Sequence, residues 1–331
     1  MKKIYEEILQ IISANNTFVI TSHINPDGDA IGSELGLYRA LIAAGKKARI
    51  INVSETPREL IFLDKYNSIE KYNPRKHNKI IADADVHFFL DLNQLSRTKA
   101  MQKTFDKYRK TRVCIDHHQA PENFADYLLL EPQIGSVGEI IFDFLEKTKL
   151  TEIDFDIAEP IYAAIMTDTG SFRYERTTPK THKIAAKLLK TGIDPKHIYE
   201  MIYEQSTLSR MQILGKSLQT MRLYGDGKVC AMEVRFKDIS KYGGTEADIE
   251  GFVNYTLAVE GVRVGLLFFE FEKGFKVSYR SRGNIPVNKL AAEFGGGGHI
   301  NAAGSRLEGK SLSALKNKVI KKAIEYLKYD N

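Results

Sequence analysis

The chain has 331 residues, enough for two domains, and its 43% apolar and 27% charged content is that of an ordinary globular protein. No apolar run reaches the roughly 18 residues of a membrane-spanning helix, and Glu6 and Glu7 interrupt an N-terminus that an export signal would keep apolar. The net charge of +6 suits an anionic substrate but is too small to mark a nucleic-acid binder by itself, and two distant cysteines, Cys114 and Cys230, point to a reducing cytoplasm, not a disulfide framework.

Residues 3–13 keep the apolar spacing of an amphipathic helix, and residues 17–22 read as a short buried strand of apolar and β-branched residues. His23-Ile24-Asn25-Pro26-Asp27-Gly28-Asp29 follows. Pro26 and Gly28 force a turn and delay the helix predicted over 30–44, which Gly45 closes. The turn can gather His23, Asp27 and Asp29 at one point, although Asp27 or Asp29 could equally serve as the helix N-cap. Strands at 48–53, 86–91, 112–116 and 128–130, with helices at 137–148, 155–167 and 181–191, complete a first domain over 1–190. Apolar strands alternating with helices predict an α/β fold, a doubly wound and mostly parallel sheet. Residues 195–224 are helical in pattern and supply a connector over 191–221. After Asp226-Gly227 come strands at 229–234, 262–271 and 275–279, with Glu272-Lys273-Gly274 as a hairpin turn, then helices at 286–294 and 312–329. These predict a smaller α+β domain over 222–331.

Three apolar elements of the first domain end in ionisable residues: Asp91, the run Asp116-His117-His118, and Asp168. A carboxylate at the end of a buried strand is costly unless it is paired or bound to a cation. With the first loop, the set His23, Asp27, Asp29, Asp91, His117 and Asp168 reads as one converging site. Oxygen-rich ligation with a little imidazole suits Mn²⁺, or Mg²⁺, better than zinc. So many carboxylates exceed the needs of one small ion and match two divalent metal ions sharing a carboxylate. Such a pair clamps a phosphoryl oxygen and activates water, which is phosphoester hydrolysis. Neighbours in an extended chain face opposite ways, so His117 is assigned to metal and His118 to the substrate phosphate or to orientation. Cys114 lies inside an apolar strand and Ser33 within a helix, which argues against a nucleophilic Cys or Ser. No P-loop motif occurs.

In the second domain, Gly295-Gly296-Gly297-Gly298-His299 lets backbone approach a phosphate closely, with His299 beside an anion-binding nest made by Gly296, Gly297 and Gly298. Alternation along Tyr279-Arg280-Ser281-Arg282 puts Arg280 and Arg282 on one face, suited to a terminal phosphate or a stacked base. A long strand would need a continuous basic groove with interleaved aromatics, and none stands out.

His23-x-x-x-Asp27-Gly-Asp29, Asp91, Asp116-His117-His118 and Asp168, taken in that order, resemble the DHH phosphoesterase superfamily. The Gly-rich run with His299 and Ala302-Ala303-Gly304 resembles its DHH-associated C-terminal domain, so the likeness covers about residues 15 to 327. Length and layout are most similar to the group of bifunctional oligoribonucleases and 3′-phosphoadenosine 5′-phosphate (pAp) phosphatases. The resemblance implies one ion on His23, Asp27 and Asp91, and another on Asp29, Asp91, His117 and Asp168, with Asp91 bridging. It implies that Asp91 and His118 act in catalysis and that Arg97 contacts the scissile phosphate. Asn93-Gln94 departs from the small hydroxyl residues usual after the Asp91 position. The activity expected is a cytoplasmic, manganese-dependent nanoRNase acting on short RNA oligonucleotides and on pAp. A phosphodiesterase for linear or cyclic dinucleotides, and a non-catalytic nucleotide sensor, are the alternatives. No membrane partner is expected, and the connector permits a homodimer.

Overall fold

The apolar runs of the first half become strands of one parallel sheet in a computed structural model that describes residues 3–309 and 312–330. The chain divides into two units, Met1–Gln205 and Ser206–Asn331. The first contains α1 (Lys3–Ala14), β1 (Thr17–Thr21), α2 (Gly28–Ala43), β2 (Lys47–Asn52), β3 (Ile69–Lys71), α3 (Pro74–Asp83) and β4 (Val86–Leu90). It continues with α4 (Gln102–Lys107), β5 (Thr111–Asp116), β6 (Tyr127–Leu130), α5 (Val137–Thr148), α6 (Phe155–Asp168), α7 (Pro179–Leu189) and α8 (Pro195–Tyr203). The strands stand in the order β3-β2-β1-β4-β5-β6, every pair parallel, which is the doubly wound α/β sheet expected. The winding direction reverses between β1 and β4. A crevice therefore opens beyond the C-terminal ends of those two strands, the usual place for a ligand in an open α/β sheet.

Helices cover both faces of this sheet. Phe18 and Ile20 of β1 and Phe88 and Leu90 of β4 join one core with α2, α5 and α6. Val19, Phe89 and Cys114 join the other with Ile81 of α3 and Phe105 of α4. Burial on both sides explains why these strands read as continuous apolar runs instead of alternating ones. The strand β3 and the helices α3 and α4 carry too short a pattern to be read from sequence, although Asn73 caps α3 and Pro74 opens it.

The second unit contains α9 (Leu208–Gln219), β7 (Arg222–Tyr224), β8 (Val229–Val234), α10 (Phe236–Tyr242), α11 (Asn254–Leu257), β9 (Val264–Phe271) and β10 (Gly274–Ser281). It ends with α12 (Val287–Ala292), β11 (Gly297–His299), β12 (Ala302–Glu308) and α13 (Leu312–Tyr326). Its sheet has the order β11-β12-β10-β9-β8-β7, antiparallel except for the β8–β9 pair. The helices α12 and α13 pack on one face through Phe268, Phe275, Val277 and Tyr279. On the other face α9 and α10 pack against Met232, Val234, Leu267 and Phe269.

The helical reading of 195–224 is corrected. The helix stops at Tyr203, Thr207 starts a new one by accepting a hydrogen bond from the Arg210 N–H at 3.0 Å, and residues 222–224 pair as β7. The boundary between the units falls in that break. The Gly-rich run is also more ordered than a loop, since its last residues pair with β12 as an edge strand. Among the described residues no helix is long and apolar enough to cross a membrane.

Candidate metal centre

Each expected ligand of the first unit sits at the C-terminal edge of its sheet or at a helix end beside it. His23 follows β1 and Asp91 follows β4. His117 and His118 follow β5, Asp27 and Asp29 open α2, and Asp168 closes α6. Donor atoms of His23, Asp27 and Asp91 lie within 4.8 Å of one another, as do those of Asp29, His117 and Asp168, and those of Asp91, His117 and His118. The whole predicted set is thus brought together, with Asp91 belonging to two of the groups.

Local bonds aim each side chain. The Asp27 side chain accepts from the N–H groups of Asp29 and Ala30, both at 3.1 Å, so it caps α2 as well as facing His23 and Asp91. Asp29 accepts from the Val137 and Gly138 N–H groups at 2.7 and 3.0 Å, which fixes its carboxylate on the positive N-terminus of α5. His23 Nδ1 donates to the Ile24 carbonyl at 2.8 Å and His117 Nδ1 to that of Ile134 at 3.2 Å. In both rings this turns Nε2 toward the carboxylates: 3.4 Å from Asp91 for His23, and 3.5 Å from Asp91 and from Asp168 for His117. A ring held by one nitrogen and free at the other has the form of a metal-ligating histidine. Asp91 takes the left-handed conformation, φ 56°, uncommon outside glycine and a mark of functional strain.

His118 does not face away from His117. Because β5 ends at Asp116, the chain turns there, and the two rings stand 5.0 Å apart at 82°. His118 Nδ1 lies 2.8 Å from the buried Asp116 carboxylate and 3.4 Å from Asp91. Asp116 is thus an orienting partner that the sequence reading left without a role. Arg97 lies in the turn after β4, where its carbonyl accepts from the Ile24 N–H at 2.9 Å and its charge opposes protonation of His23.

The charge balance shows what the cluster lacks. Burial, with the neighbouring Asp91 and Asp168, drives the Asp29 carboxyl well above its usual range. Burial also raises Asp168, to about 6, against the pull of His117. Burial opposes protonation of His117, but the Asp91 hydrogen bond and the surrounding carboxylates outweigh it and raise the imidazole to about 10. Asp91 goes the other way. Burial would raise it, yet its bonds to His117 and His23 hold it below the usual carboxylate range. A cluster that must keep protons on its imidazoles and acids to offset its own charge is one that divalent cations can neutralise instead. The oxygen-rich donor set and the buried Asp91 Oδ1, which has no hydrogen bond of good geometry, fit such ions.

In the second unit, Arg280 pairs with Ala302, and Ala302 with His299, in one cross-strand row. Paired residues point to the same side of a sheet, so Arg280 and His299 share a face. Arg282 lies one residue beyond β10, where its guanidinium donates to the Leu257 carbonyl at 2.7 Å. Gly297 and Gly298 pair with Gly304 and Ala303, and Gly296 leads into them. Gly298 has φ +146°, and a Cβ there would stand 2.4 Å from the Ala302 carbonyl oxygen, so its glycine character serves the hairpin.

Residues 17–165 match the family model described as DHH family, N-terminal domain, and residues 226–328 match the DHHA1 domain. The chain is 31% identical over 329 residues, 98% of its own length and 94% of the relative's, to the bifunctional oligoribonuclease and PAP phosphatase NrnA of Thermus thermophilus. It is 28% identical over 304 residues to the protein of the same name from Bacillus subtilis, covering 91% and 92% of the two chains. A crystal structure of an exopolyphosphatase-related protein from Bacteroides fragilis superposes on 99% of this chain and 97% of its own, with a TM-score of 0.93 at 33% identity. The ordered ligand motifs, the parallel sheet that carries them and these end-to-end likenesses agree: the chain belongs to the DHH family of phosphoesterases, of the NrnA type, and is a phosphoric ester hydrolase.

Proposed function

We propose that this enzyme hydrolyses very short oligoribonucleotides to mononucleotides and removes the 3′-phosphate of pAp to give AMP, with two divalent ions, Mn²⁺ first and Mg²⁺ second. The observation that carries the reading is the convergence of four carboxylates and two imidazoles in the first unit, in a chain that aligns end to end with relatives named for those two activities. His23, Asp27 and Asp91 would hold one ion, and Asp29, His117 and Asp168 the other, with Asp91 shared. When bound, the pair offsets phosphate charge and activates water.

The chain's own groups do the rest. Asp116 holds His118 by Nδ1 and leaves Nε2 to face the phosphate. Arg97 adds positive charge beside His23. In the second unit, Arg280, His299 and the backbone of Gly296, Gly297 and Gly298 bind a further phosphate of the substrate, with Arg282 at the rim. The two buried free thiols suit a reducing compartment such as the cytoplasm.

A substrate panel with Mn²⁺ or Mg²⁺ tests this: pAp, di- and trinucleotide RNA, long RNA, pyrophosphate and cyclic dinucleotides. Fast turnover of the first two, slow turnover of long RNA and a loss of at least about 100-fold in Asp91→Asn are expected. Long RNA cleaved as fast as a dinucleotide overturns the reading. Activity confined to cyclic or linear dinucleotide signals moves it to the phosphodiesterase alternative.

A further inference from the structure

The segment after Asp168 is strained and ends in an aromatic shelf. Gly170, Ser171 and Phe172 all take left-handed backbone, with φ +57°, 59° and 64°. Two non-glycine residues in that region are costly and persist only where their surroundings enforce them. Here the enforcement is visible. The Ser171 N–H reaches back to the Met166 carbonyl at 2.7 Å, and the Phe172 N–H donates to Thr169 Oγ1 at 3.1 Å. The Phe172 ring turns inward, stacked on His182 at 5.5 Å and against Tyr162 at 5.9 Å. With Phe172 anchored inside, Arg173 and Tyr174 are pushed out into solvent.

The Tyr174 ring lies flat over Gly170, so close that a Cβ on Gly170 would stand 2.4 Å from Tyr174 Cζ. The ring is nonetheless 59% exposed. The side chain of Tyr203, from α8, lies beside Ser171. Its ring lies 4.9 Å from that of Tyr199, and these two tyrosines are 42% and 40% exposed. Of these three exposed tyrosines, Tyr174 stands six residues past the candidate ligand Asp168, just after the strained backbone, and Tyr199 and Tyr203 are presented by α8. Exposed rings of this kind are the platforms on which proteins stack bases, tolerant of sequence because every base has a π-face.

We propose that Tyr174, backed by Tyr203 and Tyr199, stacks the nucleobase of the nucleotide whose phosphate lies at the Asp168 side of the metal centre. This rests on the nucleotide-hydrolase reading and adds to it a base-binding position in the first unit. The shelf makes the enzyme prefer nucleotides over sugar phosphates of equal charge.

The test compares pAp with its base-free counterpart, ribose 3,5-bisphosphate, in the full chain with Mn²⁺. In Tyr174→Ala the ratio of kcat/KM for pAp over the base-free compound should fall by roughly 5- to 100-fold, the span expected of one base–aromatic stack. Tyr174→Leu keeps the cover over Gly170 but has no π-face, and should show the same selective fall even if the alanine variant loses its fold. An unchanged ratio in the leucine variant, or equal losses on both compounds, overturns the proposal. A second readout does not depend on turnover. The chain has no tryptophan but 16 tyrosines, so the part of the AMP-induced quenching of tyrosine fluorescence that is lost in Tyr174→Leu reports the shelf. Wild-type protein that cleaves neither pAp nor short RNA defeats the hydrolase reading, whereas AMP quenching that persists undiminished in Tyr174→Leu defeats the shelf.

Discussion

Glu34 lies beneath the ligand cluster, fully buried on α2, and its role is to position. Its Oε2 accepts from Asn52 Nδ2 at 2.7 Å, and Asn52 Oδ1 in turn accepts from the Ser22 N–H at 3.2 Å, one residue before His23. Burial raises the Glu34 carboxyl to about 8, although the Asn52 hydrogen bond and the nearby Ser22 hydroxyl act the other way. The folded value thus exceeds the ordinary glutamate value near 4.5, so the folded state binds this proton more tightly than the unfolded chain. The associated stability is complete below pH 4.5 and is lost progressively as the pH rises through about 8. Glu34→Gln is neutral at every pH and keeps an oxygen for Asn52. In metal-stripped protein its stability relative to wild type should therefore grow between about pH 5 and about pH 8.5, by on the order of 3 kcal/mol, in urea denaturation. Wild type and variant that change in parallel over that range would show that Glu34 does not carry the proton.

The ligands converge because α2 and α6 touch. Gly32 is the middle of three close contacts, between Gly28 on Thr167 and Gly36 on Ile161: a Cβ there would stand 2.3 Å from the Pro160 carbonyl oxygen and 2.8 Å from Ala164 Cβ. Pro160, inside α6, has no N–H to offer the Asp156 carbonyl one turn earlier, and Arg39 of α2 donates to that carbonyl instead. The proline thus costs a helix bond and yields a tie between the two helices that carry Asp29 and Asp168. Gly32→Ala should lower stability by about 1–3 kcal/mol through overpacking and weaken metal affinity measurably, since the two acids move apart. Unaltered denaturation and metal titration would mean the contact can relax. Much at this scale was legible in the sequence. Strands β1, β4 and β5 are apolar runs ending at the ligands, and Pro26 and Gly28 mark the turn between them. The β11–β12 hairpin was not legible, because glycine carries no side-chain alternation. The break between α8 and α9 was hidden by helical spacing that continues through Thr207, whose capping role depends on a single hydroxyl. The orienting role of Asp116, and Glu34 altogether, were not legible because their partners, His118 and Asn52, are set by the turn after β5 and by the β1–β2 register, which no local pattern encodes.

Across the whole molecule the charge is unevenly divided. Lys and Arg outnumber Asp and Glu by 20 to 13 in Ser206–Asn331, whereas Met1–Gln205 has 28 against 29. The positive excess therefore belongs to the unit without the metal centre. Part of it is already neutralised where Glu246 takes both Lys276 and Arg306 at 3.3 Å. The described hydrogen bonds of Arg280 and Arg282 go to backbone carbonyls, of Tyr279 and Leu257, and the proposed function gives both guanidiniums to the substrate. Under the proposed function, in which the second unit binds a substrate phosphate, this division predicts where salt acts. Raising KCl from about 50 to about 200 mM should raise KM for pAp by roughly five- to tenfold, the effect of two phosphates neutralised by fixed cations. It should leave kcat nearly unchanged, because the buried carboxylate cluster is poorly screened. Arg280→Met with Arg282→Met should raise KM at low salt and flatten its salt dependence by about half. A salt slope identical in the double variant and in wild type would place the phosphate-binding charge elsewhere in the chain.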